Sequence, residues 1–382
     1  MAFMDIHVCL VSAQTTPNLI PVLDRAIQPK HMVLVTSPDM EGRSRALASI
    51  LKRHRMSVEF LEISNAYDYP AIEDTLIDWL AEHEDQDVGL NVTGGTKLMA
   101  MAAQAVFTSS GKPIYYINAE TDEILYLGDR AQSRKLDVKI GLRDYLEAHG
   151  YQIEGALQKP QITRAVRDLI HRLAIDAGGP GSEALGMINY HAQQAIESRR
   201  SSKISPDHKQ IKDFERIAGL FEEAGYLSYK DNQLVFPSEE ARQFVNGGWL
   251  EYLAYDVVTS TTRRLGIGDA CVNLKVIAPD GSTRNELDVA FMHENRLNII
   301  ETKSGNLDTL GSSGEQRSTE AIYKLQSLLR LGGLRTRAML LDYRGGLGRA
   351  DRNRALESGI HVVGGEEIQR LRQQVEHWLS RS

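Results

Sequence analysis

The chain has 382 residues, enough for two or three domains that each bury a core. With 42% hydrophobic and 25% charged residues it is not a disordered, fibrous or collagenous protein, and no apolar run approaches the roughly 20 residues of a membrane span. The net charge of −7 argues at first against a nucleic-acid partner, but from residue 245 onward 18 Lys and Arg meet 17 Asp and Glu, and 330–354 holds seven arginines against two aspartates. A local basic stretch steers a polyanion even on an acidic protein. The start, MAFMDIHVCLVS, lacks a basic n-region and runs straight into a strand pattern, so no signal peptide is expected. Cys9 and Cys271 lie far apart in apolar contexts and are expected as small buried hydrophobes in a cytoplasmic protein with no membrane partner.

In residues 1–145 short apolar runs alternate with amphipathic stretches. IHVCLV (6–11), MVLVTS (32–37), VEFLEI (58–63), VGLNVT (88–93) and PIYYIN (113–118) read as strands, with helices at 41–54, 70–83 and 96–109. This alternation predicts βαβ units around a mostly parallel sheet, a Rossmann-like doubly wound α/β domain, with DEILYL (122–127) as an appended strand. The segment 150–245 has amphipathic runs at 161–176 and 184–198, the charged patch SRRSSKISPDHK, and a third run at 207–224. Two short strands around Lys230-Asp231-Asn232-Gln233 then signal a hairpin. Three helices followed by a hairpin is winged-helix order, a module that binds DNA in some proteins and serves as a spacer or dimer contact in others. Residues 246–382 open with an apolar helix from about Gly248 to Arg264. Strands follow at 270–278, 286–292, 297–304 and 338–343, with a helix over 316–331 and another at VEHWLS, giving an α/β sandwich. The glycine-rich loop Ser304–Gln316 is expected to be the most mobile stretch.

The sharpest chemistry lies in this third segment. Glu301 and Lys303 are two apart in one strand and share a face, with Ile300 and Thr302 on the other. An adjacent antiparallel strand brings Asp288 beside Glu301. Two ionised carboxylates that close repel each other unless a cation lies between them, and oxygen ligands suit Mg²⁺ or Mn²⁺. Such an ion lowers the pKa of a bound water and stabilises charge on a phosphate oxygen. Lys303 would orient the water or stabilise transition-state charge. Glu251, an acid among Trp249, Leu250, Leu253 and Ala254, would complete or support the metal site, and Glu286 shares the Asp288 face.

A second polar cluster lies in the first segment. Asn91-Val92-Thr93-Gly94-Gly95-Thr96-Lys97 follows a buried strand and opens a helix. Its glycines allow close backbone approach to an anion, the helix start presents free N–H groups, and Thr93, Thr96 and Lys97 add donors. It is neither a Walker A motif nor a dinucleotide fingerprint. The loop Ser12-Ala13-Gln14-Thr15-Thr16-Pro17-Asn18 follows the first strand, and in an open parallel sheet such loops meet outside the strand carboxyl ends.

The helix with Glu251, then Asp288, then Glu301-Thr302-Lys303, then a helix with Glu320 and Lys324 resemble the PD-(D/E)xK nuclease superfamily, with Leu287-Asp288 standing where Pro-Asp is usual. VSAQTTPN and NVTGGTKLMA at the N-terminal end, together with GGWLEYLAYD, NELDVAF and NIIETKSG toward the C-terminus, resemble the CARF-domain nucleases of type III CRISPR defence. The resemblance implies a Rossmann-like CARF ligand-sensing domain at 1–145, a winged-helix-like linker domain at 150–245 and a restriction-endonuclease-like α/β domain at 246–382. It implies a homodimer that binds cyclic oligoadenylate, usually cyclic tetra-adenylate, as activator and cleaves single-stranded or duplex DNA, RNA or both with Mn²⁺ or Mg²⁺. By position Asp288, Glu301 and Glu251 would hold the metal and Lys303 would assist. Ser12, Gln14, Thr15, Thr93, Gly94, Gly95, Thr96 and Lys97 would contact the activator. The alternative is a non-enzymatic nucleotide-sensing regulator that binds DNA through the winged helix and the basic stretch around Arg199, Arg200 and Lys203.

Overall fold

Every apolar run of the first segment becomes a strand. In a computed structural model that describes residues 4–128, 133–196, 198, 200–305, 307, 316–331 and 335–380, these strands are β1 (Ile6–Leu10), β2 (His31–Thr36), β3 (Ser57–Glu62), β4 (Val88–Asn91), β5 (Ile114–Asn118) and β6 (Glu123–Tyr126). With the two-residue β7 (Arg134–Lys135) they form a seven-stranded sheet of order β3-β2-β1-β4-β5-β6-β7. Neighbours from β3 through β5 pair in parallel, while β6 and β7 add antiparallel strands at one edge. Helices α1 (Thr16–Leu23), α2 (Glu41–Arg53), α3 (Tyr69–Glu82) and α4 (Lys97–Ser109) connect the parallel strands, and α5 (Leu142–Ala148) follows the sheet. Helices cover the parallel strands, so β1 and β4 are buried along their whole length and read as unbroken apolar runs. Strand order reverses between β1 and β4, and the loops after these two strands therefore meet at the switch point of the sheet.

The chain divides into two compact units, Met1–Ile153 with Ile277–Thr283, and Glu154–Val276 with Arg284–Ser382. Past the short strand β8 (Gln152–Glu154), the middle segment holds α6 (Arg164–Ala177), α7 (Ser182–Gln194), β9 (Ser201–Lys203), α8 (Pro206–Lys209), α9 (Phe214–Glu223), β10 (Ser228–Lys230), β11 (Gln233–Val235) and α10 (Glu239–Gln243). The expected hairpin is present: Lys230 pairs with Gln233, and Asp231 and Asn232 both have positive φ, +51° and +58°, as a type I′ turn requires. Two expectations change. The run 207–224 is not one helix but α8 and α9, broken at Asp213 with φ +69°, because the buried stripe starts only at Phe214 and continues through Ile217, Ala218 and Phe221. Part of the charged patch is strand β9. It lacks apolar alternation but pairs with β11, and its Ser202 hydroxyl bonds the buried His191 at 2.8 Å. Arg199 and most of the loop 304–316 lie outside the described residues.

The C-terminal segment contributes α11 (Trp249–Ser260), α12 (Thr262–Leu265), β12 (Gly268–Ile277), β13 (Arg284–His293), β14 (Arg296–Lys303), α13 (Arg317–Leu329), β15 (Arg337–Asp342), α14 (Arg349–Glu357), β16 (Ile360–Gly364) and α15 (Leu371–Ser380). The sheet order is β16-β15-β14-β13-β12-β8. Glu294 and Asn295, both at positive φ, turn β13 back antiparallel onto β14, which then pairs in parallel with β15. Ile188 of α7, Phe221 of α9, Trp249 and Leu253 of α11, and Phe291 and Ile300 of the sheet belong to one hydrophobic cluster. The middle and C-terminal segments thus share a core. Cys9 and Cys271 are buried free thiols pushed up to about 12 by burial, and behave as hydrophobes. Among the described residues no helix is long and apolar enough to cross a membrane.

Candidate active site and ligand loops

Strand β14 pairs with β15 as far as Lys303 opposite Asp342, whereas its pairing with β13 runs only to Val289 opposite Ile300. Beyond that point a side chain takes the place of a backbone acceptor. Asp288 Oδ2 accepts from the Thr302 N–H at 2.7 Å and from its hydroxyl at 3.1 Å. Strict alternation puts Thr302 on the opposite face from Glu301, yet its hydroxyl reaches Asp288 where the ladder opens. Glu301 is fully buried. Its Oε1 accepts from Lys303 Nζ and Lys324 Nζ, each at 2.6 Å, while its Oε2 is buried with no partner among the described residues.

The electrostatics couple these groups. Burial, and then the charge of Asp288, pushes Glu251 up to about 8, with a hydrogen bond from Asn273 opposing and Glu286 and Glu301 adding to the rise. Burial and the Glu301 charge also raise Asp288, although Lys303, the Thr302 N–H and Lys324 pull against them. Burial alone would lower Lys303, but the carboxylates of Glu301, Asp288 and Glu251 hold its ammonium above the ordinary value. Asp288, Glu301, Lys303 and Glu251 therefore come together. Glu286 is exposed and acts only through its charge. Glu320 joins Thr302, Lys303, Ser304, Arg317 and Lys324 around a cavity of about 650 Å³. Asn273, at positive φ within β12, and Lys324 add contacts that the Asp288–Glu301–Lys303 spacing does not contain.

The donor set is all carboxylate oxygen, which suits a hard divalent cation. A buried carboxylate oxygen without a partner, and two acids raised by burial and by a neighbouring carboxylate, are what such a cation relieves. Among the described residues no three His, Cys, Asp or Glu side chains stand close enough to ring an ion, so protein carboxylates alone do not make a closed shell.

In the first unit the hydroxyls of Ser12, Thr15, Thr93 and Thr96, on the candidate ligand loops, are engaged internally. Thr93 Oγ1 donates to Asn91 Oδ1 at 2.6 Å and accepts from the Ile117 N–H at 2.7 Å. Thr96 caps α4, its Oγ1 accepting from the Met99 N–H at 3.1 Å and donating to the Ala66 carbonyl at 2.8 Å. Thr15 is buried and donates to the Ala148 carbonyl, and Ser12 donates to the Gln14 carbonyl at 3.1 Å. Gly94 lies so close to the Leu10 carbonyl that any Cβ would collide, which fixes the β4 loop against the end of β1. Asn91 and Asn18 tie the two loops together: Asn91 Nδ2 donates to Asn18 Oδ1 at 3.1 Å and Asn18 Nδ2 to the Leu10 carbonyl at 2.9 Å. These two buried amides escape a search for ligand donors because their role is to fasten the loops. Gln14 and Lys97 are exposed, and Gly95 takes a positive φ of +76°.

Residues 6–145 match the family model of the Card1 CARF domain, and residues 238–382 match the Card1-like endonuclease domain. Protein VC1899 from Vibrio cholerae is similar at 26% identity and TM-score 0.88, over 98% of each chain. Can2 from Sulfobacillus thermosulfidooxidans, solved in complex with cyclic tetra-adenylate, is similar at 26% identity and TM-score 0.78, over 99% of this chain and 98% of that one. A type III CRISPR defence DNA nuclease activated by cyclic oligoadenylate shares the fold at 17% identity and TM-score 0.57, over 99% of this chain and 52% of that one. No curated protein sequence matches. The chain belongs to the CARF-domain nucleases that its sequence resembles, with a Card1 CARF domain and a Card1-like endonuclease domain on one polypeptide.

Proposed function

We propose that this CARF nuclease is a cytoplasmic endonuclease of type III CRISPR defence, activated by cyclic oligoadenylate and dependent on Mn²⁺ or Mg²⁺. The observation that carries the reading is buried Glu301, gripped at one oxygen by Lys303 and Lys324 and unpartnered at the other, beside Asp288, raised by burial and the Glu301 charge, and Glu251, raised by burial and the Asp288 charge. Asp288, Glu301 and Glu251 would draw closer together to hold the cation, with water or phosphate oxygens completing its shell, and the cation would supply Lewis acidity and lower the pKa of a bound water. Thr302 fixes Asp288 through two hydrogen bonds. Lys303 and Lys324 hold Glu301 in place, and Lys303, kept protonated, offers positive charge to a phosphate oxygen in the adjoining cavity.

The activator reading is supported by similarity to Can2, which was solved with cyclic tetra-adenylate. In this chain exposed Gln14 and Lys97, with the backbone around Gly94 and Gly95, would meet the ligand, while Ser12, Thr15, Thr93 and Thr96 shape the loops. A cyclic ligand with repeated phosphates suits a homodimer that pairs two such loop sets. We assign 1–145 to ligand sensing, 150–245 to a winged-helix-like linker domain and 246–382 to cleavage. The test is incubation with plasmid, single-stranded DNA and RNA, with and without cyclic tetra-adenylate and Mn²⁺. Cleavage is expected only with both present. Sequence-specific duplex binding without strand scission would move the function to transcriptional regulation.

A further inference from the structure

A second cavity, of about 530 Å³, opens within the same unit, and Ser304, Gly305 and Arg317 line both it and the 650 Å³ cavity at Lys303. Helix α7 of the middle segment supplies Tyr190 and Gln193 to its lining, and β15 leads into it through Arg344. No carboxylate appears among the described lining residues, on a chain whose net charge is −7. Arg344 is held in place. Its Nε donates to the Tyr343 hydroxyl at 2.9 Å, its guanidinium lies 5.5 Å from the Tyr343 ring centroid, and it packs where any Cβ on Gly186 would collide with it. The Tyr343 hydroxyl in turn donates to the Ser182 carbonyl at 3.2 Å, tying this arginine to α7. Tyr190 is 48% exposed, and its ring is fixed edge-on to His191 and His208 at centroid distances of 5.5 and 5.8 Å. Gln193 and Asn246 close the wall with a 2.8 Å hydrogen bond between their amides.

A guanidinium held in place beside a second arginine, and an oriented, half-exposed aromatic ring, are what an unpaired strand uses, phosphates on the one and a base face on the other. We propose that this groove seats a single nucleic-acid strand next to its scissile phosphate, with Arg317 and Arg344 on backbone phosphates and Tyr190 stacked on a base. The winged-helix-like segment is then a wall of the substrate site, and the base on Tyr190 is unpaired, because only an unpaired base offers its face. The inference rests on the endonuclease reading above.

The test uses the full-length chain with cyclic tetra-adenylate and Mn²⁺, in a Glu301→Gln background so that bound oligonucleotide stays intact. Binding of a fluorescein-labelled single-stranded DNA is followed by anisotropy across a series of NaCl concentrations. Tyr190→Ala is expected to weaken affinity about ten-fold or more, and Tyr190→Phe to restore it. Arg344→Gln is expected to weaken affinity and lower the slope of log K against log salt by about 0.7, the share of one phosphate contact on a single strand. A purely structural arginine would leave that slope in place, and Arg317→Gln gives an independent reading of the same quantity. Unchanged affinity and slope in these variants, with the unmutated chain still cutting DNA, overturn the groove and leave the endonuclease reading standing. An unmutated chain that cuts nothing under these conditions overturns both.

Discussion

The two candidate sites handle charge in opposite ways. At the switch point of the first sheet, loop hydroxyls are spent on neighbouring backbone and on the Asn91 side chain, a glycine is pressed against a carbonyl, and Lys97 is left exposed. At the end of β14, acids are crowded and buried, one carboxylate oxygen has no partner, and protonation of Glu251 is favoured up to about pH 8. The first arrangement is internally satisfied. The second carries an electrostatic cost that Lys303 and Lys324 offset only in part. On the proposed reading, the activator loops rest on satisfied scaffolding, whereas the cation would relieve repulsion built into the carboxylate cluster.

The largest effect should come from the carboxylate that two lysines grip. Glu301→Gln keeps the side-chain volume and is expected to lower cleavage by about a thousand-fold or more, with calorimetric affinity for cyclic tetra-adenylate unchanged. Retained cleavage would end the contrast, because the crowded acids would then have no catalytic purpose. On the other side, Lys97→Ala should weaken the activator roughly ten- to a hundred-fold, the worth of a charge-assisted contact. Thr93→Val should instead cost stability, about 1–2 kcal/mol, through the lost Asn91 and Ile117 contacts. If Thr93→Val proves the worse binder while melting normally, the loop hydroxyls are ligands and the scaffold reading is wrong.

Protonation acts on both units. His7, fully buried in β1, is lowered by burial from 6.5 to about 4. The unfolded chain therefore takes up a proton below about pH 6.5 that the folded chain refuses until about pH 4. Stability should fall as pH drops across that window, by up to ~3 kcal/mol. His191 in the second unit, lowered to about 4 by burial and by His208, acts in the same direction. Glu251 acts in the other. Its folded pKa of about 8 lies above the unfolded 4.5, so the metal-free chain should lose stability as pH rises from the lower value through the upper. Thermal melts with and without Mn²⁺ check this: added metal should raise Tm most at the alkaline end, and Glu251→Gln should flatten the metal-free slope. An equal Mn²⁺ shift in wild type and Glu251→Gln would remove that glutamate from the ion's surroundings.

Much of this was legible in the residues. The runs IHVCLV and MVLVTS fall within one residue of β1 and β2, because parallel strands buried on both faces leave an unbroken apolar trace. The Asp231-Asn232 turn and the spacing of Glu301 and Lys303 are local signals that tertiary contacts do not override. Strand β9 left no such trace, since Ser201–Lys203 is recruited by pairing with β11 and not by its own pattern. The break at Asp213 was hidden because a short polar turn and the start of an apolar stripe look continuous in sequence. Asn273 and Thr302 were out of reach for another reason, as each gains its meaning only from the carboxylate that arrives beside it.

Local periodicity and residue chemistry by themselves set the α/β class, the strand positions and the identity of the acids and lysines. Those properties depend on side-chain alternation and on which groups ionise, and both are written one residue at a time. Only the folded chain decided that Lys324 would reach across to Glu301, that one oxygen of that acid would be left without a donor, and that Tyr190 of the middle segment would line a cavity continuous with the side chains around Lys303. Each of these is a distance between residues far apart in the chain, fixed by the packing of helices and sheet around a shared core.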